Sequence, residues 1–234
     1  MGLDGLALGV VWYVVFVFSL TCHEAAHAFT AHRLGDDTAY LGGQVTLNPI
    51  PHMQRSPVGT IVVPILTFFF TNFQWMMGWA SAPFDPMWQQ RYPKRAAWMA
   101  LAGPLANLAI VLITAAIMKI GMAADVFEPP IRSSFATIVV ATESGSPAIA
   151  TFLSIMFALN LLLFVFNLIP VPPLDGFSVA GLFMREETML RFINMSHNPT
   201  FSLLGILVAW NAIKFVFPPA FFFSLRLLYA GHAF

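Results

Sequence analysis

The chain has 234 residues, of which 58% are hydrophobic and only 9% charged, and its formal net charge is zero. Soluble domains carry about 25% charged residues, so the composition excludes an ordinary soluble globule, and the balanced charge offers nothing to nucleic acid or to an acidic partner. A single cysteine, Cys22, excludes an intrachain disulfide.

The first predicted element is a helix over about 6–34, with no charge from Leu6 to Cys22. About 20 apolar residues are enough to cross the hydrocarbon core of a bilayer. The N-terminus lacks the basic region of a signal peptide, so this span is expected to be retained. Near its end stands Thr21-Cys22-His23-Glu24-Ala25-Ala26-His27, an H-E-x-x-H sequence. On a helix, His23 and His27 lie on one face and both imidazoles can reach a single ion. Glu24 is rotated by about 100° from His23, placed to hold a water without ligating the metal. Two imidazoles and a hard oxygen ligand suit zinc. A charge at the centre of a span costs roughly 2.5–3.5 kcal/mol on insertion scales, which makes the triplet a functional hypothesis by default. The structural alternative is a core helix with a hydrogen-bonded histidine. Cys22 reads as a small apolar side chain rather than a ligand.

Gly35, Asp36 and Asp37 end the first span. The stretch 39–51, AYLGGQVTLNPIP, combines glycines, β-branched residues and prolines, and predicts short strands and turns rather than a helix. Such backbone must lie at the interface or against protein, as a re-entrant segment, and could offer a strand edge to an extended peptide. A second span covers about 58–73 and contains Pro64. Residues 74–92 carry Trp75, Trp79 and Trp88 and predict an interfacial loop. A third span covers about 94–122. Its Ala102-Gly103-Pro104-Leu105-Ala106-Asn107 stretch suits close helix packing, with Asn107 bonding across helices. Residues 123–147 are expected outside the membrane, with a short amphipathic helix over 132–142. A fourth span covers about 148–168 and a fifth about 201–217. Pro218-Pro219 is expected to end the fifth, leaving a possible short sixth over 220–231. The fold class is therefore an all-α polytopic membrane protein with five to six transmembrane helices and a small β or re-entrant segment after the first. There is no repeat, so residues 1–234 read as one domain. Basic residues alternate among the loops and do not fix the orientation.

H-E-x-x-H needs a third ligand from elsewhere. Asp36 and Asp37 are too close to the end of the same helix. Asp175 stands out, in Asn167-Leu168-Ile169-Pro170-Val171-Pro172-Pro173-Leu174-Asp175-Gly176. Three prolines break the backbone inside an apolar region, which is tolerated only where it is buried in protein or lines a cavity. The alternative for Asp175 is a helix cap in an interfacial turn. Of the remaining histidines, His32 lies off the ligand face. His52 reads as a solvated loop residue that could alternatively line the site entrance, and His197 and His232 read as loop and tail residues.

The pair HEAAH and NLIPVPPLDG, on separate spans, resembles the site-2 protease family of intramembrane zinc metalloproteases. GGQVTLNPIPH, SPVGT, GWASAP and AGPLAN are similar to it too, so the likeness runs from about Ala7 to Phe177. The loops leave no room for an inserted PDZ domain or a CBS pair, as in the compact branch of that family. The resemblance implies one zinc ion per chain, held by His23, His27 and Asp175. It further implies Glu24 as general base towards a zinc-activated water, and Asn167 in the site as a substrate or oxyanion contact. The substrate would be the transmembrane helix of a membrane protein, cleaved within the bilayer nearer its cytosolic face, in the cell membrane. Two alternatives stand beside it. One is a zinc-binding membrane protein without protease activity, either a transporter or a pseudoprotease. The other is a membrane zinc protease of the type that clips CaaX proteins, whose third ligand would be a glutamate.

Overall fold

The computed structural model describes residues 3–72, 75–196 and 198–231. Helices α1 (Leu3–Arg33), α6 (Pro93–Ala123), α7 (Pro147–Asn167) and α10 (Pro199–Leu228) are each long and apolar enough to cross a membrane. Between the first two lie α2 (Thr38–Leu41), α3 (Pro49–Arg55), a π-helical turn (Val58–Val62) running into α4 (Val63–Phe70), and α5 (Pro86–Arg91). The α3 and 58–70 helices meet at a bend of 111°, the geometry of a broken span or a re-entrant loop. After α7 come α8 (Asp175–Ala180), a 3₁₀ turn (Gly181–Phe183) and α9 (Glu186–Ser196).

The apolar patterning of α1 separates two surfaces. Leu6, Val10, Val14 and Phe18 are exposed at four-residue spacing and form a lipid-facing stripe, whereas Trp12, Val15, Phe16, Ser19, His23 and His27 are buried. The buried face of α6 repeats in the same way through Met99, Gly103, Asn107, Val111, Thr114, Met118 and Met122. Contacts between His27 and Met99, and between His23 and Asn107, show that α1 and α6 run antiparallel. Helix α7 fills the centre, with every residue from Leu153 to Leu161 buried. Its Ile155 and Leu159 pack with Trp12 and Phe16 of α1, and its Phe157 and Leu161 pack with Val111 and Met118 of α6. The all-helical polytopic architecture expected from composition is thus present, with four long helices and a fifth span if the bent pair is one.

Local expectations fared less evenly. The 39–51 stretch forms α2, a turn and the start of α3, with no strand. Asn48 caps α3 by accepting from the Ile50 N–H at 3.0 Å, and Pro49 occupies the first turn, where a missing N–H costs nothing. The prolines here open a helix instead of breaking one. The helix expected over 132–142 is replaced by an isolated bridge between Ser134 and Thr137 and by β2 (Val140–Ala141), which pairs with β1 (Phe127–Glu128). The Ile138 and Val139 N–H groups donate to Ser154 Oγ, and the Tyr229 hydroxyl donates to the Ile138 carbonyl. Side chains of α7 and the C-terminus therefore occupy backbone groups that a helix would need for itself. Pro218 and Pro219 do not end the fifth span, because α10 continues to Leu228 and leaves no separate sixth helix. In apolar surroundings a broken backbone has no water to turn to, so the helix is retained through the prolines. His197, His232 and the expected end of the second span at Phe73 lie outside the described residues.

One contact fixes α10 beside the proline-rich loop. A Cβ on Gly205 would collide with the Pro172 carbonyl oxygen, so only glycine permits this approach. Gly205→Ala should therefore force the two apart and destabilise the fold by about 1–3 kcal/mol, the usual range for overpacking. The check is a lower thermal midpoint in detergent than wild type shows.

Candidate metal centre

The H-E-x-x-H sequence lies in the last third of α1, and His23, Glu24 and His27 are all buried. The two imidazoles face one another edge-on, with ring centroids 4.6 Å apart and Nε2 atoms 2.9 Å apart. Asp175, the first residue of α8, joins them, with carboxylate oxygens 3.1 Å from His23 Nε2 and 3.4 Å from His27 Nε2. Its side chain is thus turned into the bundle and not used as a helix cap. The three residues offer ligand atoms that all lie within 4.8 Å of one another. The structure therefore brings His23, His27 and Asp175 together from α1 and α8, more than 140 residues apart in sequence.

Helix α6 provides the wall of this cluster with residues at a spacing of four. The Met99 carbonyl lies 2.8 Å from His27 Nδ1, and a carbonyl only accepts, so Nδ1 carries the proton. The His27 Nε2 is then left as a bare acceptor. Asn107 Oδ1 lies 2.6 Å from His23 Nδ1 at the other end of the stripe. Between them, a Cβ on Gly103 would collide with the Nε2 atoms of both histidines. Pro104 follows directly and removes one helix hydrogen bond from the same stretch.

These observations test whether the residues fit a cation. Asp175 Oδ2 is buried and has no hydrogen-bond partner among the described residues, although an imidazole nitrogen stands 3.1 Å away. A buried carboxylate oxygen beside acceptor nitrogens is costly unless something positive lies between them. The Gly103 gap leaves space in front of both Nε2 atoms. Two imidazole nitrogens and one carboxylate form the three-ligand set of a catalytic zinc site with an open position. The donor set, the orphaned oxygen and the space all fit such an ion.

The other residues singled out in the sequence are placed as follows. Glu24 is buried beside His23 and has no hydrogen-bond partner among the described residues. Asn167 is the last residue of α7, and its amide nitrogen donates to the Leu163 carbonyl at 3.0 Å, one turn back. His52 is not solvated, as expected for a loop residue, but buried in α3, with Nε2 3.0 Å from the Thr46 carbonyl. His32 pairs with Asp37 at 2.6 Å and stacks on Tyr40, away from the cluster. Cys22 is partly exposed and takes no part in it. Sequence reasoning assigned Asn107 to packing and gave Gly103 no place beside the histidines. The signal was the four-residue spacing of Met99, Gly103 and Asn107, a small-residue face opposite the H-E-x-x-H turn.

The sequence profile of peptidase family M50 matches residues 11–210 of this chain. The chain is 33% identical over 167 residues to YwhC of Bacillus subtilis, covering 71% of this chain and 65% of that protein. It is 29% identical over 173 residues to Rip2 of Mycobacterium tuberculosis, covering 74% and 57%, and 27% identical over 176 residues to Rip2 of Mycolicibacterium smegmatis, covering 74% and 57%. All three carry names that make them candidate zinc metalloproteases. The chain spans less than two-thirds of the length of these relatives. No solved structure matches it.

The space in front of the histidines is itself testable. Gly103→Ala places a methyl group where both Nε2 atoms converge, while alanine favours the helix. The expected result is a folded protein whose zinc content, measured by elemental analysis of purified material, falls at least tenfold.

Proposed function

The chain belongs to peptidase family M50, and we propose that it is an intramembrane zinc metalloendopeptidase that cleaves transmembrane-helix substrates. The observation that carries this reading is the convergence of His23, His27 and Asp175 on one point beside Glu24. One zinc ion per chain would be held by those three side chains. When bound, zinc supplies a Lewis acid for the scissile carbonyl and a strong nucleophile at neutral pH.

The residues of the chain do the rest. Glu24 follows His23 on the same helix and has no competing hydrogen bond among the described residues, so its carboxylate is free to take the proton of the attacking water. The same carboxyl then returns that proton to the leaving amine. Asn167 is assigned to the substrate or to the developing oxyanion. One of its two amide hydrogens is spent on Leu163 and the other remains to donate. Such a donor contributes about 2.7–4 kcal/mol where it has been measured. The long apolar helices that carry and flank the cluster favour a substrate that arrives through lipid. A helical substrate must unwind locally, because its amides are hydrogen-bonded and its carbonyls shielded. The four long apolar helices suit an integral membrane protein, and the cell membrane is the assigned location. The concentration of ionisable groups in two motifs argues against a transporter, whose cavities would draw charged residues from several spans. Asp175 as third ligand argues against the CaaX type.

Two substitutions separate the roles. Glu24→Gln should keep its zinc yet lose about 10²–10⁴-fold in cleavage rate, read on a helical membrane substrate in detergent. Wild-type turnover in that variant would remove Glu24 as the base. Asp175→Ala should lose both zinc and activity, and unchanged metal content there would refute the ligand set.

A further inference from the structure

Three polar residues lie fully buried in the apolar contact of α1, α6 and α7: Ser19, Asn107 and Asn160, each with no accessible surface. The proteolytic chemistry proposed above uses none of them. They connect end to end behind His23. Asn107 Oδ1 faces His23 Nδ1 at 2.6 Å, and Asn107 Nδ2 donates to Asn160 Oδ1 at 2.8 Å and to the Ser19 carbonyl at 3.4 Å. Asn160 Nδ2 donates to Ser19 Oγ and to the Met156 carbonyl, both at 2.8 Å. The Ser19 hydroxyl donates to the Val15 carbonyl at 2.7 Å.

The direction of this line is not arbitrary, because main-chain carbonyls can only accept. The Met156 carbonyl requires the nitrogen of Asn160 on its side, which turns the Asn160 oxygen towards Asn107. That oxygen and the Ser19 carbonyl in turn require the nitrogen of Asn107, which turns its oxygen towards His23. Facing a pure acceptor, His23 Nδ1 must carry the proton of the neutral imidazole, and Nε2 is left bare. Reversing either amide would bring carbonyl against carbonyl among residues with no accessible surface, and each unpaired buried group would carry its full desolvation cost.

We infer that Ser19, Asn160 and Asn107 form a one-way hydrogen-bond line that sets the tautomer of His23 and keeps its Nε2 open towards Asp175 and His27. Asn107 and Asn160 are positioning residues: neither lies in the cluster, and Asn160 acts on His23 only through Asn107. The geometry of the line stands alone, but its use for metal binding rests on the reading of His23 as a ligand through Nε2. Outer hydrogen-bond partners of metal-binding histidines typically govern affinity by 10–100-fold.

The decisive experiment is ¹⁵N NMR of the full chain in detergent micelles, stripped of metal and labelled at histidine, with His23 assigned by loss of its signals in His23→Gln. Wild type should show a proton on His23 Nδ1, facing the Asn107 oxygen. The opposite tautomer in wild type overturns the inference without any further variant. Asn107→Leu, of similar shape without the acceptor, should shift protons to Nε2 and weaken zinc binding 10–100-fold. Asn160→Leu should shift the same balance in the same direction from two side chains away, and it decides the matter if Asn107→Leu does not fold. A tautomer unchanged by Asn160→Leu and by a folded Asn107→Leu refutes the line, since mere helix packing would behave that way. The two readings fail separately. A His23 that responds as described in a chain that takes up no zinc upholds the line and sinks the proteolytic reading. Zinc bound by His23, His27 and Asp175 with an unresponsive tautomer does the reverse.

Discussion

The closeness of α6 to α1 governs the centre of this molecule. The two helices run antiparallel, and along one face of α6 a carbonyl, a hydrogen atom and an amide oxygen stand four residues apart, at Met99, Gly103 and Asn107. The carbonyl and the amide each hold one imidazole by its Nδ1, and the missing side chain leaves their Nε2 atoms room to converge. An unpaired polar group in such surroundings costs roughly 2–7 kcal/mol depending on the reference state. Sliding α1 along α6 would break both imidazole bonds together, so the polar contacts select one register from the many that apolar packing alone would tolerate. The same polar groups that make the span expensive to insert thus make its packing unique.

The carboxylate of the cluster is delivered by a different device. Asp175 begins a helix of only six residues, at the end of the segment in which three prolines interrupt the chain after α7. Short helices do not hold themselves. This one packs against α6, and the loop before it touches α10 where Gly205 meets the Pro172 carbonyl. Lys94, at the start of α6, donates to the carbonyls of Leu182 and Met184 at 2.8 and 3.0 Å, tying down the chain that follows. Helix α10 supplies no side chain to the cluster, yet its position and that of the Asp175 loop are linked through a single contact.

Much of this could be read from the residues. The spans follow from uninterrupted apolar runs, and the histidine pair from its four-residue spacing on a helix. Asp175 was legible because a carboxylate amid broken, apolar backbone has few other uses. What escaped was relational. Asn107 is an ordinary interhelical amide until the register of α1 on α6 is known, and nothing local states that register. Ser19 and Asn160 carried no signal at all, since a serine and an asparagine in apolar helices look like packing. The 39–51 stretch misled because its prolines fall in the first turn of α3, where they suit a helix, while its glycines and β-branched residues mimic strand and turn. At 138–139 the backbone conformation depends on Ser154, sixteen and fifteen residues further on, which a local pattern cannot contain. Pro218 and Pro219 were read with the habits of a chain in water.

The wide sequence separation between the histidine pair and Asp175 gives the cluster a history as well as a shape. Translation proceeds from the N-terminus at about 5–20 residues per second, so the ribosome delivers the two imidazoles roughly 7–30 s before their carboxylate partner. Throughout that interval α1 resides in the bilayer with a carboxyl and two imidazoles and no complete binding set. Helix α6, whose Met99 and Asn107 hold the two rings, lies between them and Asp175 in the order of synthesis. A nascent chain arrested before residue 175 would therefore carry both imidazoles without the carboxylate that completes the cluster.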